Sequence, residues 1–100
     1  MDELVTVTDR GLYCAAGDFY VDPWRPVARA VVTHAHADHA RGGSDAYWGV
    51  RDGLAILRHR LGEPERLHGL AYGEAARFGD VRVSLHPAGH ILGSAQVRIE

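Results

Sequence analysis

The stretch Thr33-His34-Ala35-His36-Ala37-Asp38-His39 places four metal-ligand side chains within six residues. Imidazole and carboxylate groups are common zinc ligands. If the stretch leaves a strand, His34 and His36 point to the same side, because successive strand side chains alternate. Asp38 and His39 would then lie in the following turn, where they can face a second ion. The stretch therefore predicts a loop that supplies ligands to two metal ions.

The order His34-x-His36-x-Asp38-His39 resembles the signature of the metallo-β-lactamase fold. Two other segments match motifs of the same family: Phe19-Tyr20-Val21-Asp22 and Pro87-Ala88-Gly89-His90-Ile91-Leu92-Gly93-Ser94-Ala95. The second of these has the form found in the β-CASP nucleases, which act on nucleic acids. Residues 11–24 resemble the bacterial ligase-associated DNA exonucleases.

The resemblance implies an α/β fold in which residues 1–100 form the N-terminal half of an αβ/βα sandwich. It implies a mixed, largely antiparallel sheet with one or two covering helices. Members of the family are considerably longer than this chain. We therefore expect a truncated, partial domain that lacks the later metal motifs and the β-CASP insertion.

Hydrophobic periodicity predicts the same kind of architecture from the residues themselves. Alternating or β-branched runs predict strands within residues 4–8, 12–14, 19–22, 28–33, 67–72, 75–78, 81–86 and 95–99. Ala30-Val31-Val32 is continuously apolar, as in a strand buried on both faces. Val50, Leu54, Leu57 and Leu61 share one helical face. A second, short helix is predicted to begin at Ala37.

The family resemblance also implies a role for each candidate site residue. His34, His36 and His90 would bind one zinc ion, and Asp38 and His39 would bind part of a second, with Asp38 counted as catalytic. His86 competes with His90 for the third position, and the motif favours His90.

Asp22 would brace the metal loop through hydrogen bonds, although an aspartate before Pro23 also commonly starts a turn. The complete family site holds two zinc ions, with manganese as the alternative metal. A hydroxide held by zinc would attack the phosphorus of a phosphodiester. No substrate-binding residue is assigned.

Two other residues have competing interpretations. Trp24 is interpreted as capping an edge of the core, with stacking on a base as the alternative. Cys14 is the single cysteine, so an internal disulfide is excluded, and it is interpreted as a small buried residue. His59 and His68 are interpreted as histidines without a metal role.

Composition limits the choice of partners and location. The apolar fraction of 46% is typical of a globular protein, and no apolar run is long enough to span a bilayer. We predict a cytoplasmic protein that does not bind membranes. The net charge of −2 does not itself favour nucleic acid. DNA as substrate and an ATP-dependent DNA ligase as partner are implied by the resemblance alone.

The sequence thus predicts a zinc-dependent nuclease, most simply a DNA exonuclease, in an incomplete N-terminal portion. One alternative is a non-catalytic remnant that binds at most one zinc ion. Another is a hydrolase of small esters, thioesters or lactams with the same fold.

Overall fold

A computed structural model of the chain describes residues 5–33, 41–87 and 95–100. Nine strands and one α-helix lie within these residues: β1 (Thr6–Thr8), β2 (Gly11–Cys14), β3 (Phe19–Val21), β4 (Arg29–Val31), β5 (Ala46–Val50), α1 (Leu54–Arg60), β6 (Leu67–Leu70), β7 (Ala75–Phe78), β8 (Val81–Pro87) and β9 (Ala95–Ile99). The described part is therefore dominated by sheet, as the sequence predicts. None of its helices is long and apolar enough to cross a membrane.

The strands form two sheets. β1 to β6 make a six-stranded sheet in sequence order, and β7, β8 and β9 make a three-stranded sheet. β1, β2 and β3 pair antiparallel, whereas β3, β4, β5 and β6 pair parallel. The predicted mixed sheet is confirmed. The predicted antiparallel majority holds for the second sheet, where both described pairings are antiparallel, but not for the larger sheet.

The larger sheet is buried on both faces at β4. Val31 packs in a cluster shared with the second sheet, while its neighbours Ala30 and Val32 pack in a cluster with Leu57 and Leu61. The three β4-region residues are at most 1% exposed, which confirms the prediction of a strand buried on both faces. The result is three layers, with α1 on one side of the larger sheet and the second sheet on the other. The specific αβ/βα sandwich stays a prediction.

The helix begins later than the periodicity predicts. Val50 belongs to β5 and pairs with Leu70 of β6, so its backbone groups serve the sheet and not a helix. A 3-10 turn at Arg51–Gly53 follows, and α1 starts at Leu54. Of the second predicted helix, Arg41 lies outside any helix, and the residues before it lie outside the described residues.

The second sheet contains a hairpin built from the two strands predicted within residues 75–78 and 81–86. β7 and β8 pair antiparallel around the turn at Gly79, and Val81, Val83 and Leu85 are all buried on one face of β8. These three side chains join Val31 and Cys14 in the cluster between the sheets. The interpretation of Cys14 as a buried residue is confirmed, since it is 0% exposed.

Candidate metal centre

Asp22 directly follows β3, and its carboxylate is hydrogen-bonded to Thr33. Thr33 is the residue directly before the first histidine of the motif. Oδ1 of Asp22 accepts a hydrogen bond from the Thr33 backbone N–H at 2.8 Å. Oδ2 accepts one from the Thr33 hydroxyl at 2.6 Å. The Asp22 backbone N–H donates to the Val31 carbonyl at 2.9 Å. The end of β3 is thus tied to the end of β4 by three hydrogen bonds.

The backbone at Asp22 makes this contact possible. Its φ is +46°, in the left-handed region that aspartate tolerates better than most residues. β3 and β4 are parallel, with Val21 opposite Val31, so their carboxyl ends meet at one edge of the sheet. The left-handed turn ends β3 there, at the edge where β4 leads toward His34.

Asp18 is a second aspartate with the same backbone conformation, and its φ is +52°. It lies in the turn before β3 and accepts a hydrogen bond from the Tyr13 hydroxyl at 2.8 Å. That hydrogen bond to the Asp18 carboxylate raises the pKa of Tyr13 above its usual value. Asp18 therefore resembles Asp22 in geometry but serves the opposite end of β3.

Tyr47 anchors the chain where it emerges after the motif. Its side chain is 1% exposed, in the cluster between the larger sheet and α1. Its hydroxyl donates to the Arg41 carbonyl at 2.9 Å and accepts from the Ser44 backbone N–H at 2.8 Å. The Ser44 hydroxyl in turn accepts from the Val27 backbone N–H at 3.0 Å. Both described flanks of residues 34–40 are therefore held by side-chain hydrogen bonds.

The third predicted motif follows β8, and the direction of β8 can be read from its two ends. A methyl group built on Gly17, before β3, would lie 2.7 Å from a Val81 methyl at the start of β8. Near the other end, the Leu85 carbonyl accepts from the N–H of Gly73, which follows β6. β8 therefore runs in the same direction as β3 to β6. Pro87 lies toward the edge that carries Asp22 and Thr33.

The predicted ligands His34, His36, Asp38, His39 and His90 lie outside the described residues, so their roles stay predictions. The described residues fit a metal loop in one respect. A half-buried carboxylate that accepts two hydrogen bonds fixes the residue next to His34, and hydrogen bonds around metal ligands orient them. Within residues 5–33, 41–87 and 95–100, no group of three or more potential ligands could hold a metal ion.

The remaining described histidines have other surroundings. Nε2 of His86, the competitor of His90, lies 2.8 Å from the Ser84 hydroxyl. His68 stacks on Trp48 with ring centroids 4.9 Å apart, a packing contact that the sequence did not indicate. His59 is exposed on α1, as predicted.

Trp24 does not cap the core. Its side chain is 44% exposed, and its indole N–H donates to the Asp9 carbonyl at 2.8 Å. Its backbone N–H donates to the Arg10 carbonyl at 2.9 Å. The ring is therefore held against the β1–β2 turn while much of it faces solvent, which corrects the core-edge interpretation.

Comparison with known proteins finds one informative similarity. The chain is 36% identical over 91 residues to a protein of Opitutus terrae named a probable DNA ligase. The match covers 90% of this chain but 9% of that protein, so the chain spans about a tenth of its relative's length. No family model matches the chain. Membership of the metallo-β-lactamase family stays a prediction.

Proposed function

We propose that the chain is part of a zinc-dependent nuclease that degrades DNA, most simply as an exonuclease. The observation that carries the proposal is the pair of hydrogen bonds from Thr33 to the Asp22 carboxylate. Thr33 is the residue directly before the His34-x-His36-x-Asp38-His39 motif. A turn-starting aspartate needs no such partner, whereas a loop of metal ligands needs fixed orientation. The contact thus gives structural support to a motif recognised from the sequence.

The proposed roles follow the donor chemistry. His34, His36 and His90 bind one zinc ion and leave a fourth position for water, as in catalytic zinc sites. Asp38 and His39 bind a second ion. When bound, zinc lowers the pKa of water to about 7 and stabilises charge on phosphoryl oxygens. Asp22 and Tyr47 keep the two flanks of the loop in position.

DNA is proposed as the substrate because a relative is named a probable DNA ligase. The resemblance to ligase-associated DNA exonucleases makes an ATP-dependent DNA ligase the proposed partner. The net charge of −2 means that general attraction to DNA is weak. Local arginines must therefore supply the phosphate contacts, and arginine suits them through its bidentate geometry.

The test is to measure zinc content and DNA degradation with the purified full-length protein. We expect zinc- or manganese-dependent release of nucleotides from end-labelled DNA. Asp38→Ala should lower the rate at least about 100-fold, because its metal would be lost or misplaced. Asp80→Ala, in the exposed turn after β7, is the matched control and should retain full activity.

Zinc content gives a second readout that does not depend on turnover. His90→Ala should lose bound zinc, and His59→Ala should keep it. Undiminished DNA degradation by Asp38→Ala would refute the proposal. Hydrolysis of a chromogenic lactam or thioester with DNA untouched would replace the nuclease by a small-molecule hydrolase.

A further inference from the structure

Two arginines from separate segments meet at one open depression. Arg10, in the β1–β2 turn, and Arg25, in the β3–β4 connection, both line a cavity of about 460 Å³. Both side chains are exposed, and within the described residues neither guanidinium has a hydrogen-bond or ion-pair partner. Their donors are therefore available to a ligand. Asp45 also lines the depression, so its charged groups sum to one positive charge.

Trp24 connects the two segments that carry these arginines. It precedes Arg25 in the chain, and its backbone is hydrogen-bonded to Arg10. Its indole N–H is already satisfied by Asp9, so the exposed ring needs no polar partner of its own. Trp24 does not itself line the depression, but it is the residue before Arg25 and is hydrogen-bonded to Arg10. An exposed aromatic ring near guanidinium groups is the usual composition of a binding site for single-stranded nucleic acid.

The segments that line the depression lead along the chain to both flanks of the candidate metal loop, although Ala28 and Asp45 directly precede β4 and β5 and lie at the opposite ends of these strands from Thr33. Gly11, next to Arg10, approaches Pro23 so closely that a methyl group built on Gly11 would lie 2.9 Å from the Pro23 Cα. Pro23 follows Asp22, which holds Thr33. On the other side, Gly43 lines the depression. It lies two residues after Arg41, and the Arg41 carbonyl accepts a hydrogen bond from the Tyr47 hydroxyl.

We propose that Arg10, Arg25 and Trp24 bind single-stranded DNA. The guanidinium groups contact phosphate oxygens, and the indole of Trp24 stacks on a base. The inference rests on the proposed function for its choice of DNA and extends that function to the strand that enters the metal centre. Asp45 repels phosphate from its side of the depression, so the strand lies on the side of the two arginines.

The experiment measures binding of a fluorescein-labelled 12-nucleotide thymidine oligonucleotide by anisotropy, over a range of sodium chloride concentrations. EDTA is present throughout, so that neither zinc nor cleavage affects the result. The test variant is Arg10→Gln with Arg25→Gln. The control is Arg60→Gln with Arg82→Gln, which removes the same charge from two exposed positions elsewhere.

We expect the test variant to bind more weakly and to lose about 1.4 from the magnitude of the logarithmic salt slope, as two phosphate contacts on a single strand require. The control should keep the wild-type slope. Trp24→Leu should weaken binding about fivefold or more, and Trp24→Phe should largely restore it. Phenylalanine lacks the indole N–H, so this restoration separates stacking from the contact with Asp9.

The inference is overturned if the test and control variants bind alike, if Trp24→Leu binds as wild type does, or if the wild-type protein binds only duplex DNA. The measurement is independent of the proposed nuclease. Protein that binds the oligonucleotide through these residues but never cleaves it would refute the nuclease and leave this site intact. Zinc-dependent cleavage of DNA, together with equal oligonucleotide binding by the test and control variants, would support the nuclease and refute this binding site.

Discussion

At Asp22, a left-handed backbone and a carboxylate that accepts two hydrogen bonds occur in the same residue. Few residue types supply both. Asparagine tolerates the backbone, but its amide has one acceptor oxygen and a nitrogen that cannot accept. Asparagine at position 22 therefore keeps the backbone geometry and changes only the contact that orients Thr33.

We predict that Asp22→Asn lowers zinc affinity by about 10- to 100-fold while the protein stays folded. The charged acceptor of the Thr33 hydroxyl is replaced by a neutral amide nitrogen that can only donate, so the contact that orients the residue before His34 is weakened. Zinc affinity is measured by competition with a chromogenic chelator. Asp18→Asn is the control, because Asp18 has a nearly identical φ and lies at the other end of β3. Equal zinc affinities for the two variants would contradict the prediction.

At the scale of elements, the close approach of α1 to β5 depends on a missing side chain. A methyl group built on Gly49 would overlap a Leu57 methyl, and Leu57 is 4% exposed. Because Gly49 has no side chain, Leu57 can occupy the space over the sheet. This contact places α1 over β5, the strand that carries Tyr47.

We predict that Gly49→Ala lowers the free energy of unfolding by about 1–3 kcal/mol, because Leu57 must leave its position. Leu57→Ala alone should lower it by about 2–5 kcal/mol. In the Leu57→Ala background, Gly49→Ala should lower the free energy of unfolding much less, because the Leu57 methyl with which it collides is absent. Urea unfolding of the four proteins measures the coupling. An unchanged effect of Gly49→Ala in both backgrounds would show that the contact does not limit packing.

At the scale of the whole molecule, the two sheets share one core. Phe19 of the larger sheet and Phe78 of the second sheet lie with ring centroids 4.8 Å apart, and Trp48 meets Phe78 edge-on at 4.7 Å. Leu85 is 0% exposed in the same cluster. The sheets are therefore expected to unfold together, although no strand of one pairs with a described strand of the other.

We predict that Leu85→Ala lowers the free energy of unfolding by about 2–5 kcal/mol. Trp48 fluorescence, measured in a Trp24→Phe background, and far-UV circular dichroism should report the same transition midpoint. Leu12→Ala, at a position 39% exposed on β2, is the control and should change stability by about 0.5 kcal/mol. Separate midpoints for the two signals would show that the sheets unfold independently.

The sequence by itself determined most strand positions, the both-face burial of β4 and the buried face of β8. These follow from short-range patterns, because alternation and apolar runs report which faces lose water. The order of the candidate ligands is likewise read from the sequence, while the role of Asp22 in bracing their loop was implied by the resemblance and stays a prediction.

Only the tertiary structure decided the start of α1, the split into two sheets and the exposure of Trp24. Val50 suits a helix by periodicity, but hydrogen bonding to β6 competes for its backbone. The parallel pairings, the hydrogen bonds of Tyr47 to Arg41 and Ser44, and the meeting of Arg10 with Arg25 join segments distant in the chain. No local pattern encodes such contacts, because they depend on which elements become neighbours when the apolar faces are buried.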